Sequence, residues 1–525
     1  MQDIEAFSLS KPGSGSMKNQ FTRRDFLKLA GMLPLGMAAP HLMKTLKSAS
    51  QQGQAKNVLI VVFDAWSAQN VSLYGYPRNT TPNIDRLAAR AIRYHNHFAG
   101  GSFTTPGTAS LLTGVLPWTH RAFDLNGVVA KPYATRNFFS TFQNHYNLAY
   151  THNSWAYTLL RQFSRDIDEL IPRELLMIPS TNTLITRLFT RDDDTAAVSW
   201  EREIHLSDDG DAYSLFLSHL IEDLQDKKLQ ELKPEFPRGL PTSKSDIGFT
   251  LERARTYIVD RLTSVQQPFA GYFHFLPPHN PYNTSKKFYN RFTGDDFFPV
   301  HKPRDIFAEN EKVNLQNSRR LYDEFVLYCD DEFGKLYSSL ESSGLLENTW
   351  IVLTSDHGEM FERDITGHVS DALYQPGIRV PMMIFEPGRT EGMDIHDYTS
   401  AIDVLPTLAH VTGETVPEWG EGVILPPFAP EKNIPDRSIY VLRAVKNGKY
   451  DPFTVGSFIQ VRGGYKLHYY VGYSQTPGDG LVKLYDLQSD PEEMNDLVTV
   501  KPETTAELFH ELKNKLKQVD EPYIK

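Results

Sequence analysis

The stretch Asn57–Phe63, NVLIVVF, is a continuous run of apolar, mostly β-branched residues that ends directly before Asp64. A strand that is buried on both faces of a parallel sheet has this composition. The runs 268–275 (PFAGYFHF) and 349–355 (TWIVLTS) have the same character, and helix-like segments such as 319–345 separate the runs. This alternation predicts an α/β fold with a mostly parallel central sheet flanked by helices.

Each of the three runs is followed by a residue that can bind a metal ion or a substrate. Asp64 follows the first run, and His279 lies in LPPHNPY after the second. Asp356 and His357 follow the third run in SDHGE. Because ligands of open α/β sheets bind beyond the carboxyl ends of the strands, we expect these loops to form one site. Carboxylates with an imidazole suit a divalent cation, and zinc, manganese and calcium remain open. The alternatives are a helix N-cap for Asp64 and a solvated turn for Asp356 and His357.

The stretch 100–114, GGSFTTPGTASLLTG, contains a hydroxyl that could act as a nucleophile. It places Thr104 in a loop just ahead of Pro106, and proline is common at the first position of a helix. A hydroxyl at a helix N-terminus faces free amide groups that stabilise an oxyanion, and a nearby metal ion would lower its pKa. Without a metal ion, Thr104 is better interpreted as a helix N-cap.

Several pieces of the chain, in the order in which they occur, resemble the sulfatase branch of the alkaline phosphatase superfamily. They are NVLIVVFDA, LYGYPRNTTPNIDRLAARA, TTPGTASLLTG, HFLPPHNPY, NTWIVLTSDHGEMF, LYQPGIRVPMMIF, IDVLPTLAHVTG and the tail GYKLHYY…KLYDLQSDPEEMNDL. Together they span roughly residues 55–515. The resemblance implies an alkaline-phosphatase-like core followed by a small C-terminal antiparallel sheet with one helix.

The same resemblance implies a role for each candidate residue. The implied metal ligands are Asp64, Thr104, Asp356 and His357. Thr104 occupies the nucleophile position, and His279 is expected to contact the transferred group or its leaving oxygen. His368, in ITGHVS, lies where related enzymes carry a lysine or histidine that faces the substrate. In related phosphoethanolamine transferases the two corresponding histidines help to hold a second ion, so His279 and His368 form a candidate pair.

The chain departs from the usual sulfatase pattern at four places. Ala65 stands where sulfatases carry a second aspartate after the first strand. Thr104 stands where they carry the cysteine or serine that is converted to formylglycine. Thr108 stands where sulfatases carry the arginine that supports formylglycine. The stretch 150–157 lacks the lysine that binds sulfate in many sulfatases, and His152 is out of register with the histidine that accompanies this lysine. Oxidation of threonine would give a ketone, so formylglycine cannot form here.

Three hypotheses about function follow from these residues. The favoured one is a metal-dependent hydrolase or transferase that cleaves phosphate esters with Thr104 as nucleophile, since superfamily members with threonine at this position resemble phosphodiesterases and phosphoryl transferases. The second is a sulfatase, a sulfuric ester hydrolase, that works without formylglycine. The third is a non-catalytic exported binding protein on a sulfatase scaffold. The expected substrate is the ester of a small molecule, a glycan or a lipid headgroup.

Composition excludes some partners. The formal net charge of −11 and the absence of a basic stripe argue against nucleic-acid binding. The chain has one cysteine, Cys329, so it cannot form an internal disulfide, and the surrounding helical pattern indicates a packed side chain.

The N-terminal segment predicts export. Arg23 and Arg24 precede Phe26, Leu27 and Lys28 and then a mildly apolar run, which resembles a bacterial twin-arginine signal. Glycine and proline interrupt the apolar run, so we expect no stable transmembrane span. The prediction is a periplasmic or extracellular protein that passes through the twin-arginine translocase, or one tethered to the membrane if the signal is not cleaved.

The chain is therefore divided into three predicted parts. Residues 1–52 form the signal and a linker, and residues 53–415 form the catalytic domain. The charged stretch at about 160–250 is interpreted as an insertion or cap on that domain. Residues 416–525 contain strand-like runs and a closing amphipathic helix, which predicts a C-terminal α+β subdomain.

Overall fold

The fold is described by a computed structural model that covers residues 55–178, 227, 230–242, 248–308, 314–429, 436–445 and 447–524. The predicted export signal and most of the predicted insertion lie outside these residues. None of the helices in the described part of the chain is long and apolar enough to cross a membrane.

Strands and helices alternate along the first part of the described chain, and strands dominate the last part. The strands are β1 (Asn57–Phe63), β2 (Ile92–Phe98), β3 (Tyr146–Thr151), β4 (Glu169–Leu170), β5 (Met177–Ile178), β6 (Gly248–Phe249), β7 (Phe269–Phe275), β8 (Thr349–Thr354), β9 (Met360–Glu362), β10 (Ile365–Gly367), β11 (Met382–Phe385), β12 (Met393–Ser400), β13 (Ile439–Ala444), β14 (Gly456–Arg462), β15 (Tyr465–Val471) and β16 (Leu481–Asp486). The described α-helices are α1 (Pro82–Leu87), α2 (Thr104–Thr113), α3 (Pro117–His120), α4 (Phe138–Thr141), α5 (Ser154–Gln162), α6 (Arg173–Leu176), α7 (Leu251–Ser264), α8 (Leu315–Ser342), α9 (Gln375–Ile378), α10 (Val404–Thr412) and α11 (Pro502–Asp520).

The central sheet has eight strands in the order β12-β2-β11-β8-β1-β7-β3-β4. Only β11 runs against the others, because it pairs antiparallel with both β8 and β2. The remaining pairs are parallel. The predicted α/β fold with a mostly parallel sheet is therefore confirmed.

Strand β1 lies inside the sheet, and its side chains are buried on both faces as its composition predicts. Leu59 and Val61 face a cluster that includes residues of α7 and α8. Val58 and Ile60 face a second cluster with residues of α2, α5 and α10. Helices thus cover both faces of the sheet and hold its strands in a fixed register. Cys329 of α8 is buried in the first cluster, as predicted.

The C-terminal sheet is antiparallel, in the order β13-β14-β15-β16, and α11 packs against it. Leu508 and Leu512 of α11 contact the apolar side chains of this sheet, among them Phe458 and Leu467. This part of the predicted fold is also confirmed. The domain boundaries themselves stay predictions. Strand β4 belongs to the predicted insertion by its residue numbers, but it pairs with β3 at the edge of the central sheet.

One predicted strand is shorter than its apolar pattern. The stretch 377–388 predicts a single strand, but Gln375–Ile378 form helix α9 and the strand covers only Met382–Phe385. Proline near the start of α9 favours the helical turn.

Candidate active site

The carboxyl ends of four neighbouring strands bring the candidate residues to one level of the central sheet. Val62 of β1 is in register with His274 of β7 and Thr354 of β8. His274 is also in register with Thr151 of β3. Two residues after Val62, Thr354 and Thr151, respectively, come Asp64, Asp356 and Asn153. The register of the sheet therefore places these three side chains together.

Helix α2 begins beside these residues and carries the hydroxyl nucleophile candidate. It starts at Thr104 and not at Pro106 as predicted, because the amide of Gly107 already donates to Phe103 O at 3.2 Å. A Cβ on Gly107 would lie 2.0 Å from Asp356 O, so only glycine allows the helix to approach the loop after β8 this closely.

Thr104 is fully buried and makes two polar contacts in the site. Its Oγ1 lies 3.0 Å from Asn153 Nδ2, which donates, and 3.4 Å from His357 Nε2. The amide of Asn153 also donates to Asp64 Oδ2 at 2.5 Å. Asn153 therefore links the hydroxyl to the first carboxylate.

Two carboxylates and two imidazoles form the centre of the site, and all four are buried. His274 Nε2 lies 3.1 Å from Asp64 Oδ2 and 3.7 Å from Asp356 Oδ2. His357 Nε2 lies 3.2 Å from Asp64 Oδ1 and 3.6 Å from Asp356 Oδ2. Ligand atoms of Asp64, His274 and Asp356 lie within 4.8 Å of one another, the spacing of a metal-binding cluster. Both histidines thus bridge the same pair of carboxylates.

Burial and mutual charge perturb the protonation of this cluster. Burial opposes ionisation of Asp64, but hydrogen bonds from His274 and His357 hold its pKa well below the usual value. Burial and the charge of Asp64 raise the pKa of Asp356. Burial opposes the charge on His357, yet the two carboxylates raise its pKa to about 9. The cluster therefore concentrates negative charge and draws positive charge to itself.

These residues fit a divalent cation. Asp64 Oδ1 is buried and makes no hydrogen bond, although His357 Nε2 is close to it. His357 Nδ1 lies 3.0 Å from Gly358 O, so a proton on Nδ1 leaves the lone pair of Nε2 directed toward the carboxylates. Metal-binding histidines commonly donate their second ring nitrogen to a carbonyl in this way. Two carboxylates, an imidazole and a hydroxyl are suitable ligands for zinc, manganese or calcium.

Two of the residues that depart from the sulfatase pattern lie against Asp356. Thr108 Oγ1 donates to Asp356 Oδ2 at 3.4 Å, and the backbone amide of Ala65 lies 3.4 Å from Asp356 Oδ1. Ala65 has a φ of 58°, in the left-handed region that is uncommon for residues with a side chain. The positions that usually carry an arginine and an aspartate thus hold small, neutral neighbours of the second carboxylate.

His279 and His368 lie beside the cluster, next to each other. The ring centroids of His279 and His368 are 4.6 Å apart, and those of His368 and His357 are 4.4 Å apart. Burial and the neighbouring His368 lower the pKa of His279, and burial lowers the pKa of His368. His368 Nδ1 lies 3.0 Å from Oε1 of Glu359, a buried residue whose pKa burial raises to about 7. Glu359 therefore orients the His368 ring.

A cavity of about 200 Å³ opens next to these side chains. It is lined by Asn153, Ser154, Trp155, Thr242, Leu276, His279, Asn280 and Pro281. Since Asn153 contacts Asp64 and Thr104 and His279 lies beside His368, the cavity borders the cluster.

All of the sequence-predicted residues lie in one constellation, and the structure adds three others that the sequence reasoning missed. His274 lies inside the apolar run 268–275, where a histidine is itself a signal of a functional site. Asn153 follows β3 as Asp64 follows β1, but the YNLAYT sequence of β3 is too weakly apolar to predict a strand. Glu359 belongs to SDHGE, and only the contact with His368 Nδ1 indicates its role. The metal and catalytic roles of the predicted residues stay predictions.

His152 does not join this constellation. Its ring stacks on Phe249 with centroids 3.9 Å apart, and burial lowers its pKa well below the usual value. A neutral, stacked histidine is a packing residue, which agrees with its position out of register in the sequence pattern.

Comparison with known proteins gives matches along most of the chain. The family model described as "Sulfatase" matches residues 56–414, and that described as "N-sulphoglucosamine sulphohydrolase, C-terminal" matches residues 370–522. Arylsulfatase A of Homo sapiens is 24% identical over 515 residues, which cover 91% of this chain and 90% of the relative. Choline-sulfatase of Rhizobium meliloti (strain 1021) is 26% identical over 441 residues, which cover 79% of this chain and 77% of the relative.

Among solved structures, the fold is similar to that of the phosphonate monoester hydrolase of Agrobacterium radiobacter. The TM-score is 0.62, the sequence identity is 16%, and the match covers 89% of this chain and 96% of the other. At this identity the likeness concerns the fold alone. It agrees with the central sheet and the C-terminal sheet described above.

Proposed function

Since the chain belongs to the sulfatase family and is an ester hydrolase of the alkaline phosphatase superfamily, we propose that it cleaves phosphate esters with Thr104 as the nucleophile. Sulfatase-family enzymes are metal-dependent, and we propose that Asp64, Asp356, His357 and Thr104 hold one divalent ion. The leaving oxygen is stabilised by His279 and His368.

The observation that carries the proposal is the setting of the Thr104 hydroxyl. It is buried at the first position of α2, between the amide of Asn153 and the ring of His357. A threonine that served only as a helix cap would bond to a backbone amide of its own first turn, but Phe103 holds the cap position. The Thr104 side chain instead contacts Asn153 and His357, which follow β3 and β8.

With a divalent ion bound, the surroundings of the Thr104 hydroxyl would favour its alkoxide. The bound divalent ion would lower the pKa of the hydroxyl and offset charge on the ester oxygens. Asn153 donates an N–H to Oγ1, which stabilises negative charge there and aims the oxygen. The amide groups in the first turn of α2 add a favourable dipole at the same point.

Attack by Thr104 on the ester would form a covalent threonine ester and release the alcohol of the substrate. His279 Nδ1 donates to Asn280 O at 2.6 Å, and His368 Nδ1 lies 3.0 Å from Glu359 Oε1. The Nε2 atom of each ring is therefore the one left for the leaving oxygen, and it acts as a donor when it carries a proton. Glu359 fixes the orientation of the His368 ring toward the site. These two donors are suited to stabilise the oxygen that leaves. Water or an acceptor alcohol then releases the group from Thr104.

Phosphate is favoured over sulfate because the chain lacks the formylglycine chemistry. Oxidation of threonine would give a ketone and not formylglycine, so a threonine ester at Thr104 must be released by attack of water or an alcohol on its phosphorus or sulfur atom. Thr108 stands where sulfatases carry the supporting arginine, and its hydroxyl donates a hydrogen bond to Asp356 Oδ2. Asn153, a neutral donor, occupies the region where sulfatases carry a lysine.

The test compares wild type with Thr104→Ala and Thr104→Ser on matched aryl phosphates and aryl sulfates in the presence of zinc, manganese or calcium. We expect phosphate ester cleavage that falls by at least about 10³-fold in Thr104→Ala. Thr104→Ser retains the hydroxyl and should retain part of the turnover, while metal affinity in Thr104→Ala stays within about tenfold. Full turnover by Thr104→Ala overturns the proposed nucleophile.

The second candidate is hydrolysis of sulfuric esters without formylglycine. The observation in its favour is the family match, which extends into the C-terminal part through a model named for a sulphohydrolase. A strong preference for sulfate in the same panel, with Thr104 still required, would support this candidate. The non-catalytic alternative is not retained, because the chain belongs to a family of ester hydrolases.

Substrate class and export complete the proposal. The named relatives act on esters of small molecules, as choline-sulfatase does by its name, and a small-molecule, glycan or lipid-headgroup ester fits a partly open cavity of about 200 Å³. We also propose export through the twin-arginine translocase to the periplasm or the exterior, because Arg23 and Arg24 form the arginine pair of such a signal. Replacement of both by lysine should leave the protein in the cytoplasm of a bacterial host, and unchanged export contradicts this assignment.

A further inference from the structure

We infer that Glu493 and Lys466 of the C-terminal tail are positioning residues for His368, acting through the loop that carries it. The inference rests on the proposed function, in which His368 stabilises the leaving oxygen. It gives a role to the tail sequence GYKLHYY…SDPEEMNDL, which none of the site residues explains.

The segment 363–375, the His368 loop, runs from Arg363 through β10 and His368 to the start of α9, and two buried side chains hold its downstream side. Lys466 Nζ donates to Leu373 O at 2.9 Å, and the backbone amide of Gln375 donates to Glu493 Oε2 at 2.7 Å. Both contacts fix backbone groups, five and seven residues after His368. They therefore constrain the path of the loop and not only the position of one side chain.

The same loop is held closer to His368 by the C-terminal sheet. Arg443 Nε donates to Asp371 Oδ1 at 2.7 Å, and Ser457 Oγ donates to Asp371 O at 2.5 Å. Asp371 is three residues after His368. The C-terminal sheet contacts the loop at residues 371 and 373, and Glu493, in the segment after β16, contacts it at residue 375.

The two positioning residues form a buried ion pair, and separating its charges would cost a large free energy. Lys466 Nζ lies 2.7 Å from Glu493 Oε1, which also lies 3.0 Å from His468 Nε2. The side chains of Lys466 and Glu493 are 0% and 1% exposed. Loss of one partner would leave the other charge buried and uncompensated, which is strongly destabilising. The pair is therefore a rigid anchor for what it contacts.

The backbone at Glu493 is itself held in an uncommon conformation. Its φ is 54°, in the left-handed region, and Arg363 Nη2 donates to Glu493 O. Residues with side chains keep such a conformation when the surrounding contacts determine it. Arg363 lies at the start of the His368 loop, so Glu493 contacts the loop at both of its ends.

On the side of the active site, the loop carries the His368 ring, whose position determines whether it reaches the leaving oxygen. His368 Nδ1 is bonded to Glu359, and its ring lies 4.4 Å from that of His357. One anchor comes from the catalytic loop after β8 and the other from the C-terminal sheet. Displacement of the loop backbone by a fraction of an ångström would move the His368 ring off the leaving oxygen.

The test measures how turnover depends on the leaving group. The probes are methyl 4-nitrophenyl phosphate, which needs little help at the leaving oxygen, and methyl phenyl phosphate, which needs more. We expect His368→Ala to lose about 100-fold on the phenyl ester and much less on the nitrophenyl ester. Glu493→Gln should show the same selectivity with a loss of about tenfold, and no further selective loss in a His368→Ala background.

Two further variants keep the test sharp. Arg443→Gln removes the ion pair to Asp371, which is partly exposed, so this variant is expected to fold even if Glu493→Gln does not. Arg462→Gln is the control, because Arg462 lies in the same sheet but pairs with Glu511 of α11 at 2.9 Å. We expect selective loss in Arg443→Gln, none in Arg462→Gln, and unchanged metal affinity in both.

The outcomes separate this inference from the proposed function. Equal losses on both esters, or a selective loss that persists without His368, would show a merely structural role and overturn the inference. If phosphates are not cleaved, the proposed function fails, and the pair 4-nitrophenyl sulfate and phenyl sulfate tests the inference in the same way. A readout without turnover is the imidazole ¹⁵N spectrum of His368, where we expect one tautomer in wild type and averaged signals in Glu493→Gln; identical spectra contradict the inference.

Discussion

A single side chain, Asn153, links the two chemical groups on which the proposed reaction depends. Its Nδ2 donates to Thr104 Oγ1 and to Asp64 Oδ2, while its Oδ1 accepts from the amide of Trp155 and begins α5. The residue thus combines a helix N-cap with donation to the nucleophile. A neutral amide can do both, whereas a carboxylate could only accept.

Asn153→Asp tests this role, because the variant keeps the cap oxygen and removes only the donor. We expect turnover to fall by about 10²-fold, since the N–H that stabilises the alkoxide is replaced by an oxygen beside Asp64. Steady-state kinetics on the best ester of the panel provide the measurement. Asn137→Asp is a matched control, because Asn137 also caps a helix and donates to a carboxylate, that of Asp166 at 2.9 Å. Equal kinetics for Asn153→Asp and wild type would contradict the role.

At the residue scale, sequence patterns located the carboxylates and the hydroxyl but not their partners. Asp64 and Asp356 follow recognisable apolar runs, and Thr104 precedes a recognisable helix. Asn153 and His274 acquire their place only from strand register, which pairs Thr151 with His274 across β3 and β7. A short strand such as YNLAYT has little apolar signal of its own, so this register is not readable along the chain.

At the scale of elements, the long helix α8 supports the loop that follows β1. Tyr322 of α8 donates its hydroxyl to Ala65 O at 2.7 Å and accepts from the amide of Ser67 at 2.9 Å. Both backbone groups are buried, and Ala65 has a positive φ. One hydroxyl thus holds the turn that carries Asp64 away from the strand.

Tyr322→Phe should loosen this turn. We expect the free energy of unfolding to fall by about 2–4 kcal/mol, because two buried backbone groups lose their partner, and we expect metal affinity to fall with it. Urea unfolding and metal titration measure the two effects. Tyr328→Phe on the same helix is the control, since its hydroxyl contacts Glu252 and the amide of Leu251 in α7. That variant should lose stability only; if it loses the same metal affinity as Tyr322→Phe, the assignment to the turn is wrong.

Element types were more predictable than element ends. The strand β1 and the helix α8 follow from continuous apolar runs and helical periodicity, which are properties of the local sequence. The start of α2 was misplaced because its first bond reaches back to Phe103, a loop residue held by tertiary contacts. The apolar pattern at 377–388 predicts too long a strand, because periodicity does not distinguish a short helix from an apolar strand.

At the scale of the whole molecule, several buried histidines make stability depend on pH. Burial lowers the pKa of His97 and of His120 to about 3, and burial together with Lys466 lowers the pKa of His468 to about 4. In the unfolded chain these groups titrate near 6.5. Below that pH the unfolded state binds protons that the folded state does not, so the folded state loses stability as pH falls toward the folded pKa values.

His468→Gln isolates one of these contributions. For wild type we expect the free energy of unfolding to be lower at pH 5 than at pH 7, with about 2 kcal/mol of the difference from His468 alone. Glutamine keeps a donor for Glu493 and does not titrate, so the variant should show a correspondingly smaller difference. Urea unfolding at the two pH values measures it, and the exposed His510→Gln serves as control. A pH dependence in His468→Gln equal to that of wild type contradicts the account.

The overall architecture was predictable because buried apolar strands alternate along the chain with helices that cover the sheet. The contacts of Lys466 and Glu493 with the His368 loop were not, because they join segments about 90 and 120 residues apart. Nothing in the local pattern of either segment indicates which charged residue will be buried. Such long-range pairs follow from packing of the two sheets and not from sequence periodicity.

The central claim is that Thr104 forms a covalent ester during turnover. The most direct measurement is to mix the metal-loaded protein with a rapidly cleaved aryl phosphate, quench within the first turnover, and map the modified peptide by mass spectrometry. The account predicts the mass of the transferred group on the peptide that contains Thr104, and none in Thr104→Ala. Turnover with the group on another residue, or turnover that persists in Thr104→Ala, would contradict it.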